Sequence, residues 1–141
     1  MDEHRETRRD AGSVDQVRLI VRRYCRARLG RSRAGYAAAD DLAARVTAAI
    51  LRDRREELAG PRPVEAVIYA DMAAAVQQAV GDAAGPHAWS RLDRLPARTR
   101  EVLVLRAMVG LSGEQVGRAL GLAPDAVSAE QRRALSLLRG G

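Results

Sequence analysis

The stretch LSGEQVGRALGLAPDAVSAEQRRALSLLR, residues 111–139, reads as two short amphipathic helices hinged at a glycine. Ser112 is placed to cap the first, with Gln115 three residues on as the reciprocal partner of a capping box and Leu111 and Val116 in the two staple positions. Gly121 supplies a left-handed turn after Leu120, and Pro124 opens the second helix, which runs to Arg139. Two helices joined this way are a common route into the DNA major groove. The first braces on the phosphate backbone, and the second projects its exposed face at the base edges.

That facing can be derived from the helical period. With Val127 taken as buried, Ala134 and Leu138 fall within about 20° of it at ~100° per residue, with Leu135 further round. The opposite face carries Asp125, Ala129, Arg132 and Ser136, flanked by Ser128 and Arg133. Arg132 is the candidate for base reading, because one guanidinium can donate two hydrogen bonds to guanine; Arg133 and Arg118 suit phosphates. The hydroxyls of Ser112, Ser128 and Ser136 complete the candidate DNA-binding set. A three-helix motif of this kind also serves as a protein-docking module, and the residues alone leave both uses open.

Upstream of this stretch, Trp89, Leu92 and Leu95 predict a short helix, and Pro96 opens another through the apolar run Val102–Leu105 to Gly110. GDAAGPH, residues 81–87, has the composition of a linker. Before it, three helices are expected. Val17, Ile20, Val21, Tyr24 and Cys25 recur at helical spacing up to Gly30, with Arg18, Arg22 and Arg26 on another face. AADDLAARVTAAILRDR turns Leu42, Val46, Ala49 and Ile50 to one side and puts Asp40 and Asp41 in its first turn, where the helix dipole favours carboxylates. After Leu58-Ala-Gly-Pro-Arg-Pro, Pro63 can start a third helix whose buried stripe is Val64, Val67, Ile68, Ala75, Val76 and Ala79. The polar residues 1–12 read as a disordered tail. The expected architecture is therefore all-α: a tail (1–12), a three-helix unit (13–80), a linker (81–87) and a helix-turn-helix domain (88–141).

Composition narrows the function classes. With one Trp, three Tyr and no Phe, the core must be built from Ala, Val and Leu, which suits helices. All 24 basic residues are Arg, and the net charge of +6 makes a polyanion the natural partner class. The charge divides as +4 over residues 1–60, −2 over 61–87 and +4 over 88–141, so the third helix is locally acidic. Cys25 is the only cysteine, which excludes an internal disulfide, and its apolar-face position reads as core packing. His4 lies in the tail and His87 in the linker; no Cys/His cluster has metal-ligand spacing and no glycine-rich phosphate loop appears. Neither an enzyme nor a cofactor, metal or small-molecule substrate is expected. No run of about 18 apolar residues and no signal-like start occurs, so a cytoplasmic protein without a membrane partner is expected.

LDRLPARTREVLVLRAMVGLSGEQVGRALGLAPDAVSAEQRRALSLLR resembles region 4 of the extracytoplasmic-function (ECF) sigma factors of the sigma-70 family, most closely an actinobacterial group. VRLIVRRYCRARLG and GYAAADDLAARV resemble region 2 of the same family. The resemblance implies a transcription factor that binds the RNA polymerase core, region 2 on the beta-prime clamp helices and region 4 on the beta flap. It also implies melting of the minus-10 promoter element by region 2, reading of the minus-35 element by region 4, and an anti-sigma factor as a further partner. Asp40, Asp41 and Arg45 would then lie in the polymerase-binding helix, and Ser128, Arg132 and Arg133 in the recognition helix.

Several positions depart from the family pattern. The usual Gln-Glu pair after the two Asp is Ala44-Arg45. The third helix has one aromatic, Tyr69, no Arg, and acids at Glu65 and Asp71, where the family offers aromatic and basic side chains for extruded bases. In the recognition helix the usual basic residue is Ser128, an outward position is Glu130, and the expected Ser/Thr cap is Ala123. An alternative therefore stands beside initiation: a degenerate sigma-like regulator that binds a protein partner, whether polymerase, an anti-sigma factor or another sigma.

Overall fold

The apolar spacing that begins at Val17 forms the longest helix of the computed structural model, α1 (Asp2–Leu29). The structure describes residues 2–33, 35–82 and 91–140, with side chains described at 13–33, 35–81 and 92–140. α1 starts well before Ser13: residues 2–12, expected as a disordered tail, are helical backbone. Glu, Arg and Ala are strong helix formers, and extending an existing helix requires no new nucleus. Val17, Ile20, Val21, Tyr24 and Cys25 are all buried, as their spacing predicts. Burial, and then the nearby Asp40 carboxylate, push the Cys25 thiol up to about 11, as befits an inert core residue.

α2 (Ala37–Asp53) buries Leu42, Val46 and Ile50 together with Ala39, Ala43 and Thr47, and packs along α1. A five-residue helix, α3 (Arg55–Ala59), follows where the sequence suggested only the end of α2. Between them Arg54 fixes the turn: its guanidinium donates to both Asp71 oxygens at 2.9 and 3.2 Å and to Glu57 at 2.9 Å. α4 (Val64–Asp82) starts one residue later than expected, with the Pro63 carbonyl accepting from the N–H groups of Ala66 and Val67. Its buried residues are Val67, Ile68, Met72 and Val76, and Glu65 is buried with them; Val64, Ala75 and Ala79 are only partly buried.

Residues 81 and 82 of the expected linker close α4, while the rest of it and Trp89 lie outside the described residues. A single 3-10 turn, Arg91–Arg94, leads through buried Leu95 to α5 (Ala97–Leu103), which continues as a π-helical turn over Val104–Val109. Most of this segment is buried, while Ala97, Arg98, Ala107 and Met108 are exposed. Val102, Val104, Leu105 and Val109 join the large apolar cluster, whereas Leu103 faces a small one with Leu95 and Ala134. Gly110, at φ +89°, ends it; the Leu111 N–H reaches back to the Leu105 carbonyl at 2.9 Å, and Arg106 donates to the Leu111 carbonyl at 2.8 Å. α6 (Gly113–Leu120) and α7 (Pro124–Gly140) complete the chain.

The fold is all-α, and among the described residues the only strand-like pairing is an isolated bridge between Ser32 and Gly35. No helix of the described residues is long and apolar enough to cross a membrane. One apolar cluster extends from Val17 in α1 to Val127 in α7, so the helices before and after residues 81–87 share a core. α1 lies against the π-helical turn and α4 against α6.

Gly117, inside α6, carries a constraint specific to this fold. A Cβ there would stand 2.7 Å from the Leu122 carbonyl oxygen, which the α6–α7 turn holds in place, while a Cβ at Gly113 would meet nothing within 4 Å. Gly117→Ala is expected to destabilise the protein by about 1–3 kcal/mol and lower Tm by roughly 3–12 °C in thermal unfolding. Gly113→Ala, the matched control, should leave Tm unchanged or raise it.

Candidate nucleic-acid interface

The helix-turn-helix is held by local chemistry. Ser112 adopts an extended conformation and its hydroxyl accepts from the Gln115 N–H at 3.1 Å, while the Gln115 side chain accepts from the Ser112 N–H at 2.9 Å. Both halves of the capping box are therefore made, satisfying donors that a helix start leaves orphaned. Gly121, at φ +70°, closes α6, and the Leu122 N–H bonds the Gly117 carbonyl at 2.9 Å. α7 then turns Val127 and Ala134 into the interior with Leu138 half-buried beside Leu95 and Leu103. Asp125, Ser128, Ala129, Arg132, Arg133 and Ser136 are exposed, so the face opposite Val127 is the one the helical period assigned to solvent.

Glu130 corrects the expectation that it points outward. It is half-buried and accepts a 2.6 Å hydrogen bond from Thr99 of α5, which is itself fully buried. The wheel gives the reason: three residues after Val127, Glu130 stands about 60° from the inner stripe. Its carboxylate is thus occupied in fastening α7 to α5, leaving Asp125 as the acid on the outer face.

Arg118 is likewise engaged. It is about half exposed, lies 3.3 Å from Glu114 one turn earlier, and approaches Glu65 of α4 at 3.6 Å. Of the six candidate DNA residues, Ser128, Arg132, Arg133 and Ser136 share the outer surface of α7, whereas Ser112 and Arg118 sit at opposite ends of α6.

The α2 candidates divide. Asp41 and Arg45 are exposed one turn apart, but Asp40 is drawn to α1, where the Arg26 guanidinium donates to both its oxygens at 2.8 Å. That pairing lowers the Asp40 carboxyl below its ordinary range, with a further contribution from Arg22. Arg26 also lies 4.7 Å over the Tyr36 ring, which fixes the start of α2 against α1.

α4 differs from its reading as an acidic helix. Glu65 is only 3% exposed, and Asp71 is neutralised by Arg54. The exposed residues Ala70, Ala74, Gln77 and Gln78 present an uncharged surface. Tyr69, the lone aromatic of α4, points inward, donates to Glu101 of α5 at 2.6 Å and meets the Tyr24 ring edge-on at a centroid distance of 6.3 Å.

Glu101 is the functional-looking residue that sequence reasoning passed over. Buried to 7% exposure, its carboxylate also accepts from Tyr24, from Arg28 at 3.1 Å and from the neighbouring Arg100 at 3.4 Å. Burial first, and then the Glu101 carboxylate, hold both tyrosines un-ionised well above the ordinary phenol range. The available signal was a carboxylate directly before the apolar run Val102–Leu105 and one turn from Leu105, on the same side of the helix.

Comparison with known proteins bears on this arrangement directly. The family model for sigma-70, region 4, matches residues 88–138, the segment that contains the helix-turn-helix. Over 96% of this chain and 91% of the relative, the sequence is 34% identical to the ECF RNA polymerase sigma factor ShbA of Streptomyces griseus. The chain belongs to the ECF RNA polymerase sigma factors. The ECF sigma factors SigD of Mycobacterium bovis and Mycobacterium tuberculosis are each 32% identical, over 89% of this chain and 73% of theirs. No solved structure matches. ECF sigma factors are transcription factors rather than enzymes, and the matched relatives are actinobacterial, in line with the resemblance read from the sequence.

Proposed function

We propose that this ECF sigma factor binds the RNA polymerase core and directs initiation from a narrow promoter set, its region 4 supplying most of the DNA contact. The observation that carries this reading is the α7 surface: Ser128, Arg132, Arg133 and Ser136 stand clear of the shared core and exposed in one patch. In the proposed division of labour, residues 13–80 act as region 2 and 88–141 as region 4. Arg132 reads a base edge, Arg133 and the serine hydroxyls hold phosphates, and Asp41 with Arg45 faces the beta-prime clamp helices. The beta flap and an anti-sigma factor complete the partner set, and the work is cytoplasmic.

Arg118 has a smaller role in this reading than its charge suggests, because Glu65 and Glu114 already compensate it. Asp40 contributes through α1, by holding the α1–α2 corner with Arg26 rather than by meeting polymerase.

One observation favours the second reading, a sigma-like regulator that binds a protein without opening promoters. α4 turns Tyr69 inward and offers a neutral Ala/Gln surface, which lacks the stacking and phosphate-binding groups that single-stranded DNA requires.

Run-off transcription with polymerase core separates the two. A product from any promoter-bearing template supports initiation; core binding with no open complex on every template supports the regulator. On duplex DNA, Arg132→Ala is expected to reduce discrimination between the preferred site and a variant site by about 1–3 kcal/mol, roughly five- to 150-fold, while Arg133→Ala weakens all sequences alike and lowers the salt slope by about 1. An equal loss on every sequence with Arg132→Ala removes its base-reading role.

A further inference from the structure

We propose that Thr99 is a positioning residue for DNA contact that acts through Glu130: by holding that carboxylate against α5, its hydroxyl keeps the charge of Arg133 available for phosphate. The proposal rests on the reading of the outer surface of α7 as the DNA-contacting one. Its geometry is a single contact. The hydroxyl of Thr99, fully buried on α5, donates to Glu130 Oε2 at 2.6 Å, and Glu130 is half-buried where α7 lies against α5.

Without that donor the carboxylate has another partner at hand. Glu130 and Arg133 are three residues apart on α7, a spacing at which oppositely charged side chains of a helix meet. On the wheel Glu130 stands about 60° from Val127 and Arg133 about 60° further in the same sense, so the carboxylate has the core on one side and the arginine on the other. Thr99 decides between them. It takes Glu130, and among the described residues no carboxylate pairs with Arg133. α6 shows the opposite outcome: Arg118 lies 3.3 Å from Glu114 one turn earlier, and its charge is compensated on the protein itself. Asp125, the acid on the outer face of α7, precedes Arg132 by seven residues and Arg133 by eight, two turns away, so Glu130 is the acid of α7 placed to silence Arg133.

A buried hydroxyl suits this task. It satisfies the carboxylate without adding a second buried charge, and its burial keeps water from competing for the bond. A hydrogen bond to a charged group is also stronger than an exposed ion pair between helix neighbours, so the Thr99 contact prevails over pairing with Arg133. The consequence for DNA is electrostatic. An arginine already paired with a carboxylate releases fewer counterions when it meets a phosphate, and the carboxylate beside it repels the backbone.

The test uses the full-length protein and a short duplex of arbitrary sequence, because Arg133 is assigned to phosphate, and follows affinity against salt concentration. Thr99→Val keeps the shape of the side chain and deletes the donor. It is expected to weaken binding roughly 2- to 10-fold at low salt and to lower the salt slope by up to about 0.9. Thr99→Ser, which retains the hydroxyl, should bind as the wild type does. The deciding variant combines Thr99→Val with Glu130→Gln: with no carboxylate to release, affinity and slope are expected to return to the wild-type values. Should Thr99→Val fail to fold, Thr99→Ala replaces it in both variants. An unchanged slope with Thr99→Val overturns the proposal, and so does a loss that persists in the double variant, which marks a displaced helix rather than a released charge; in either case a slope lowered by Arg133→Ala leaves the DNA reading of α7 standing. A wild-type slope that Arg133→Ala does not move overturns that reading and the proposal together.

Discussion

A single buried carboxylate organises this molecule. Glu101 stands on the buried side of α5 and accepts hydrogen bonds from two tyrosines and an arginine contributed by the preceding helices. Left unpaired, a carboxylate so placed would be strongly destabilising, so its partners are obligatory and the helices that carry them are fixed in position. The apolar seam around it supplies non-directional cohesion; the knot supplies the register in which α1 and α4 meet α5. Tyr24 and Tyr69 serve twice, as ring surface packed edge to face and as hydroxyl donors, which suits a chain with so few aromatic residues.

From that arrangement follows the division between what is buried and what is presented. α5 is packed on two flanks, with α1 against its π-helical continuation and α7 on the other side. α7 is therefore anchored through Ala134, Leu138 and the Thr99–Glu130 hydrogen bond, and its remaining surface is left to arginines and serines. Asp125 keeps that surface from being uniformly basic. α4, by contrast, spends Tyr69, Glu65 and Asp71 on internal contacts and shows solvent the neutral side chains of Ala70, Ala74, Gln77 and Gln78.

What could be read from the sequence and what could not divides along chain distance. The capping box, the Gly121 turn, the Val127–Ala134–Leu138 stripe and the core face of α1 are specified by residues within one or two turns of each other, and all were legible. Glu101 was not, because its partners lie 77, 73 and 32 residues away and nothing local marks the pairing. The same holds for Asp71, whose charge is cancelled by Arg54 seventeen residues earlier, so that the exposed residues described between Val64 and Val80 are neutral in a helix acidic by composition. Glu130 is a different case. Its position beside the inner stripe is implicit in the helical period, whereas the family pattern assigns an outward residue there. The helical backbone at residues 2–12 shows the converse: polar composition argued against a packed core, which is not the same as arguing against a helix.

The most direct measurement of the central claim, that Glu101 joins the two halves through Tyr69, is a double-mutant cycle of Tyr69→Phe and Glu101→Gln followed by urea unfolding. The account predicts a coupling free energy of about 1 kcal/mol or more between the two positions; losses that add to within ~0.3–0.5 kcal/mol, as for independent sites, would contradict it.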